Sequence, residues 1–343
     1  MKTEVLNRKM IFVVGNSRSG TTMLGRMLGR NTLVHKFPEL HLFGPCIPHG
    51  EESRALSKDE SIRVFTWLLD VSERKLHATR EPGKYVSQAT QLSEQFFKTG
   101  ASAWDLYYHF VLWEAGRNNK AIPCEDLPGN VFKMEQILDK FPEARIVHVV
   151  RDPRDVLLSQ KNRHRRRKLG GGYVKRKEML RFWANYHPLL ISRLWKNAVT
   201  AGLRVQDPRI MTVHFEELLR DPLTEIKKIC QHAGIPFEED MLNVPQVGSS
   251  MRKDDPGRLG IDPARSGSWS KGGLDDAEIE ICETMNRDLM LRLGYTLSGK
   301  KGGLMDKARL AVLLPLKGSL ALTLNWGRTK GRWNYLLKRF LKN

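Results

Sequence analysis

The stretch IFVVGNSRSGTTMLGRMLGRN, residues 11–31, decides the fold. A short β-branched run over 10–14 ends at Gly15, which predicts a buried strand. Residues 15–22 make the turn, and Met23, Leu24, Met27 and Leu28 then fall at helical spacing. Strand, glycine loop and helix are the frame of a phosphate-binding loop. Gly15 and Gly20 keep the spacing of the G-x-x-x-x-G-K-[ST] pattern that cradles nucleoside triphosphates. Thr21 occupies the lysine position, however, and the cation has moved into the loop as Arg18. The turn, with Ser17, Ser19 and Gly20, aims backbone N–H groups at one point, and the helix that follows adds its positive end. Thr21 and Thr22 add hydroxyl donors, and Arg18 adds charge and a fork of donors. The bland reading is a glycine-rich strand–helix turn carrying a surface arginine.

The same unit recurs over 144–160. RIVHVV reads as a strand, and in DPRDVLLSQ Pro153 sits near a helix start, where proline is tolerated. A third strand over 210–214 precedes the helical FEELLRDPLTEIKKICQHAGI, and helical patterns fill 104–115, 177–199 and 275–293. Strands alternating with helices predict a three-layer α/β/α sandwich with a mostly parallel central sheet. Ligands of such sheets sit at the carboxyl ends of the strands, where both candidate loops lie. Arg151 ends the second strand and Ser159 follows two helical turns on, so the pair could grip a phosphate; a capped helix start with salt bridges explains R-D-P-R-D equally well. Enzymes of the ATP-loop class hold Mg²⁺ with a strand-end acid. Asp152 could be that acid, but Arg151 beside it and the absent loop lysine argue against a Mg-nucleotide triphosphate.

The chain has 343 residues and a net charge of +19. Residues 299–343 hold eleven lysines and arginines against one aspartate. Such a balance favours anionic partners without choosing among nucleic acid, lipid and phosphorylated or sulfated small molecules. The cysteines 46, 124, 230 and 282 show neither zinc-site spacing nor a disulfide framework, so a reducing, cytoplasmic setting is expected. No signal peptide is read, because the apolar run in MKTEVLNRKMIFVVG is too short, and no transmembrane helix, because the apolar stretch over 310–324 is broken by Pro315 and Lys317.

GNSRSGTT near the start, and RDPRDVLLS after FPEAR, resemble the sulfotransferases that use 3′-phosphoadenosine 5′-phosphosulfate (PAPS) and release 3′,5′-diphosphoadenosine (PAP). HFEELLRDP, RSGSWSKGGLDDAEI and the LGY ending at Tyr295 extend the resemblance, in order, over about 10–297. The resemblance implies a P-loop-NTPase-like fold and a metal-independent, in-line sulfuryl transfer to a hydroxyl. It implies that the first loop (Ser17, Arg18, Ser19, Gly20, Thr21, Thr22) holds the 5′-phosphosulfate and that Arg151 and Ser159 hold the 3′-phosphate. Arg265, Ser266, Trp269 and Lys271 resemble the late loop that closes over the 3′-phosphate and adenine. The displaced lysine then makes chemical sense: sulfuryl carries less charge than a γ-phosphate, and Arg18 would neutralise the leaving phosphate as the S–O bond breaks.

The acceptor hydroxyl needs a base. In KFPELHLFG, Glu39 and His41 alternate with Leu40 and Leu42, which can point both polar side chains into one cleft. PELHLF resembles the branch of the family with a glutamate base, so Glu39 is assigned that role; a loop glutamate paired with His41 is the plain alternative. His41, His109 and His148 are substitutes on the pattern of the histidine-base branch. Lys133 in VFKMEQIL matches the family's electrostatic partner of the sulfuryl, although Met134 and Glu135 depart from the usual context. Phe215 also departs, standing where many members have tyrosine.

Residues 1–298 are read as the sulfotransferase domain, with 51–100 as an insertion or acceptor-side lid, and 299–343 as a basic extension. KNRHRRRKLGGGYVKRK (161–177) reads as an acceptor-binding rim, a lid hinged at 170–172 or a solvated loop. No groove-reading or stacking arrangement accompanies the charge, which argues against nucleic acid. Over 330–342, Trp333, Leu336, Leu337, Phe340 and Leu341 share one helical face among cations. That pattern suits an anionic membrane surface, the chain's own core or a partner. The rival functions are a nucleotide or sugar kinase with an atypical loop, and a non-catalytic PAP- or membrane-binding protein.

Overall fold

A computed structural model describes residues 8–74, 81–170 and 174–329. Five parallel strands form the central sheet: β1 (Met10–Gly15), β2 (Val34–Phe37), β3 (Ile122–Glu125), β4 (Ala144–Val150) and β5 (Ile210–His214), in the order β2-β3-β1-β4-β5. The helices are α1 (Thr21–Gly29), α2 (Lys58–Arg74), α3 (Val86–Phe96), α4 (Ala103–Arg117), α5 (Met134–Lys140), α6 (Pro153–Lys161), α7 (Arg176–Ala184) and α8 (Pro188–Arg204). They continue with α9 (Phe215–Arg220), α10 (Pro222–Ala233), α11 (Asp276–Arg292) and α12 (Leu304–Thr329).

The three layers follow from the period of two along a strand. On β1, Met10, Phe12 and Val14 enter one core with side chains of α2, α3, α4 and α5, while Ile11 and Val13 enter a second core with α1, α9 and α10. Both faces are covered, which is why β1 is buried throughout. Strands β1 and β4 are adjacent, with Gly15 opposite Val149. Connections from this pair run to opposite halves of the sheet, so their carboxyl ends form the switch-point crevice.

Several expectations are corrected. Residues 51–100, read as polar and weakly periodic, contain two amphipathic helices: Val64, Phe65 and Leu68 of α2 and Ala89 and Leu92 of α3 are core. Strands β2 and β3 were not read at all; each has four residues, and β3 contains Pro123. The helix expected over 177–199 is two, divided before Pro188, and residues 249–273 include the strand Asp255–Leu259 and two short 3-10 turns. Pro315 interrupts the apolar run of the tail but lies inside α12, a helix of 26 residues. Among the described residues no helix is long and apolar enough to cross a membrane. The amphipathic pattern over 330–342 lies outside the described residues.

Candidate active site

The first loop closes over Asn16, whose carbonyl accepts from the Ser19 N–H at 3.1 Å. Arg18 takes a left-handed φ of 75°, which costs a non-glycine residue about 1–2 kcal/mol. Gly20 has φ 101°, and a Cβ there would lie 2.2 Å from the Phe215 ring, so both backbone and space require glycine. Thr21 and Ser19 are buried, and Thr22 is half-buried at the start of α1.

Arg18 ties the two βα junctions together. Its Nε donates to Ser159 Oγ on α6 at 3.0 Å, and its Nη2 donates to the Gly248 carbonyl at 3.0 Å and to Ser250 Oγ at 2.9 Å. Arg151, at the end of β4, donates in return to the Arg18 carbonyl at 3.1 Å and to the Arg265 carbonyl at 2.8 Å. Its guanidinium lies 4.7 Å from the Phe215 ring centroid, so the phenyl supports Arg151 as a platform. Burial, followed by the charges of Arg163, Arg151 and Arg166, pulls the Arg18 guanidinium down to about 9; it stays charged at neutral pH. Burial likewise lowers Arg265.

The late loop is fastened to α6 by Asp155, whose carboxylate accepts from the Gly267 N–H and the Trp269 N–H, each at 2.9 Å. Arg265 and Ser266 are half-buried there, whereas Lys271 is exposed. The Trp269 ring stacks on Arg154 at 3.8 Å, and Arg154 is paired with Asp152 and Glu283 at 2.7 Å each. One face of the indole is therefore taken by the protein itself. Asp152 caps α6 and is tied to Arg154.

Glu39 and His41 follow β2 and meet: Nε2 of His41 lies 2.9 Å from Oε2 of Glu39. Leu40 and Leu42 point the other way into the core. Burial would raise the Glu39 carboxyl, but the hydrogen bond and charge of His41, with the charges of Arg163 and Lys36, leave it below the ordinary carboxylate value. The backbone between the two residues is fixed by Glu125, at the end of β3, whose Oε1 accepts from the Leu40 N–H at 3.1 Å. Tyr107 and Asn130 hold the other carboxylate oxygen at 2.8 and 3.0 Å. Asp126 next to it is packed against Gly25, and burial pushes it up to about 6 although Lys36 Nζ lies 3.2 Å away. Sequence reading missed this support because it missed β3; the acid pair ending IPCED was the available signal.

Lys133 stands apart from the arginines. It ends a 3-10 turn before α5, pairs with Glu52 and lies 5.1 Å from the Phe43 ring. His109 stacks on Phe96 and His148 is buried in β4, which removes both from the crevice. The basic run is ordered over 161–170: Lys161 pairs with Glu278, Arg166 with Asp254, and Arg163 stacks on Phe182 at 4.0 Å. The charge of Arg163 lowers both the Arg18 guanidinium and the Glu39 carboxyl.

The loops after the adjacent parallel strands β1 and β4 thus gather Arg18, Arg151 and the Ser159 hydroxyl at the carboxyl edge of the sheet. A sequence model of the sulfotransferase family matches residues 10–239, and the chain belongs to that family. Over 237 residues it is 22% identical to an uncharacterized protein of Aquifex aeolicus, a match covering 69% of this chain and 27% of that relative. The omega-hydroxy-beta-dihydromenaquinone-9 sulfotransferase Stf3 of Mycobacterium bovis is 24% identical over 255 residues, covering 66% of this chain and 62% of its own length. The chain thus spans less than two thirds of either relative. Among solved structures, the sulfotransferase domain from the curacin biosynthetic pathway is 18% identical with a TM-score of 0.49, covering 84% of this chain and 99% of that domain.

Proposed function

We propose that this sulfotransferase takes its sulfuryl group from PAPS and delivers it to a hydroxyl acceptor, with Glu39 as base. One observation carries the reading: Arg18 and Arg151 put one cation at the end of β1 and another at the end of β4, side by side, and a donor with two separated phosphates needs two such grips. The residues fit that donor. Ser19 Oγ, Arg151 Nε and Arg265 Nε are buried without hydrogen-bond partners among the described residues, and each could be satisfied by phosphate oxygen. PAPS, when bound, supplies an activated S–O bond and PAP as leaving group. Arg18 with the loop N–H groups, Thr21 and Thr22 would hold the 5′ end. Arg151 and Ser159 would hold the 3′-phosphate, with Arg265, Ser266, Trp269 and Lys271 closing over it. Glu39, held ionised, would take the acceptor proton, and His41 would orient it. Lys133 would reach the transferring group only by exchanging its partner Glu52. No metal is assigned a role.

The acceptor pocket would lie between Arg163 and the 51–100 helices. Omega-hydroxylated lipids lead the acceptor panel because the Mycobacterium bovis relative is named for one; carbohydrates and phenols complete it. Titration calorimetry with PAP and AMP, and transfer of labelled sulfate from PAPS in the presence of EDTA, test the reading. PAP binding no tighter than AMP, unchanged in Arg151→Ala, would overturn it; a requirement for Mg-ATP would favour the kinase. PAP binding with no transfer to any acceptor leaves the non-catalytic binder.

A further inference from the structure

The helix α12 has two apolar faces, and the fold uses one. Inward lie Leu310, Leu313, Lys317, Leu320 and Leu324, at helical spacing and wholly or half buried. That face is fastened to the body by polar contacts. His187 Nε2 meets the Leu310 carbonyl at 3.0 Å, Lys317 donates to the Tyr186 carbonyl at 3.2 Å, and Arg181 donates to the Leu324 carbonyl at 2.8 Å. Outward lie Met305, Ala308, Val312, Leu316, Ser319 and Leu322, all exposed; Met305 is 86%, Val312 60% and Leu316 63% accessible. Six of the fourteen large hydrophobic side chains exposed among the described residues are on this helix. Leu180 and Trp183 of α7, the helix packed against it, are exposed too, and Lys317 lies 4.5 Å from the Trp183 ring. Scattered exposed leucines mean little, but a continuous stripe of this kind marks a contact surface.

The charge around the stripe selects the partner. From Val312 to Leu322 the only charged residue is Lys317, turned inward. The sequence that follows, 327–343, holds Arg328, Lys330, Arg332, Lys338, Arg339 and Lys342 and no acidic residue. An apolar stripe followed in the sequence by a run of cations with no acidic residue among them is complementary in composition to an anionic bilayer surface, whose acyl chains would receive the stripe. A helix already hydrogen-bonded to the protein along its other face would lie in the plane of such a surface, with the domain above it. We infer that the outer face of α12 docks this sulfotransferase on anionic lipid bilayers. The inference is independent of the donor and of catalysis.

Co-sedimentation of the full chain with phosphatidylcholine vesicles, with and without phosphatidylglycerol, tests it. Uptake should require the anionic lipid and weaken between about 0.1 M and about 1 M salt, as screening shortens. A triple variant, Val312→Glu, Leu316→Glu and Leu322→Glu, should lose roughly tenfold or more of its partitioning. Its melting curve by circular dichroism should match that of the parent. Should the triple variant not fold, Leu316→Glu alone carries the same expectation at smaller amplitude. No uptake by the parent, or equal uptake by parent and variant, overturns the inference. So does a solution dimer that the variant dissolves in a chain that ignores vesicles, since the stripe would then be an interface between copies.

Discussion

The crevice at the ends of β1 and β4 and the C-terminal helix α12 treat their cations in opposite ways. In the crevice, Arg18 feels burial and then the charges of Arg163, Arg151 and Arg166, and its bonds go to hydroxyls and a carbonyl. On α12 three cations are already matched: Lys307 with Glu280 at 2.8 Å, Arg309 with Asp275 at 2.7 Å, and Lys317 with the Trp183 ring. A guanidinium whose bonds go to hydroxyls and a carbonyl, as those of Arg18 do, is open to an anion, whereas bare apolar area is relieved by an apolar surface. One basic composition therefore conceals two features with different partners.

The largest test of this contrast concerns the base. Glu39→Gln should lower sulfuryl transfer about 10²–10⁴-fold and leave PAP affinity nearly unchanged, measured by labelled-sulfate assay and calorimetry; an equal loss in both would make Glu39 part of the donor grip. Next, Arg151→Ala should weaken PAP about 100-fold, roughly 2.7 kcal/mol, with AMP little affected. If both nucleotides weaken alike, the crevice is a diffuse positive field and not two separate grips.

Lys133 sharpens the comparison, since it is a proposed site cation that is matched to a carboxylate as Lys307 and Arg309 are. Burial would raise its partner Glu52, but hydrogen bonds from His49 and Lys133 and the Lys133 charge hold the carboxyl at about 2. A folded-state value below the unfolded value of about 4.3 stabilises the protein above that pH, and the contribution is lost as pH falls from there through about 2. Urea unfolding between those limits should show this slope, and Glu52→Gln should flatten it while destabilising the fold by about 1–3 kcal/mol at neutral pH. The smallest effect belongs to α12: Arg309→Ala removes an exposed pair and should change stability by no more than about 0.5 kcal/mol in the same assay. A larger loss would mean that ion pairs hold the helix in place, and not its inner apolar face.

Legibility followed the length of the signal. The βα units at 10–30 and 144–160 were readable because a glycine turn and a capped helix start follow strands too apolar to be anything else. Glu39 and His41 were readable because alternation with Leu40 and Leu42 survives in a short segment. Strands β2 and β3 were not, since four residues hold only two periods and Pro123 argues against a strand; Glu125, which steadies the Leu40 backbone, was lost with them. The helices of 51–100 were underestimated because their apolar stripes are narrow and interrupted by polar residues.

By itself the sequence determined the parallel α/β architecture, the displaced cation of the phosphate loop and the family resemblance, because each rests on local spacing. Only the tertiary structure decided that Arg18 reaches Ser159, that Lys133 is held by Glu52, that Trp269 is stacked on Arg154, and which face of α12 is left bare. Those outcomes depend on which distant elements compete for the same donor or the same apolar surface, and competition between residues far apart in the chain has no period to read.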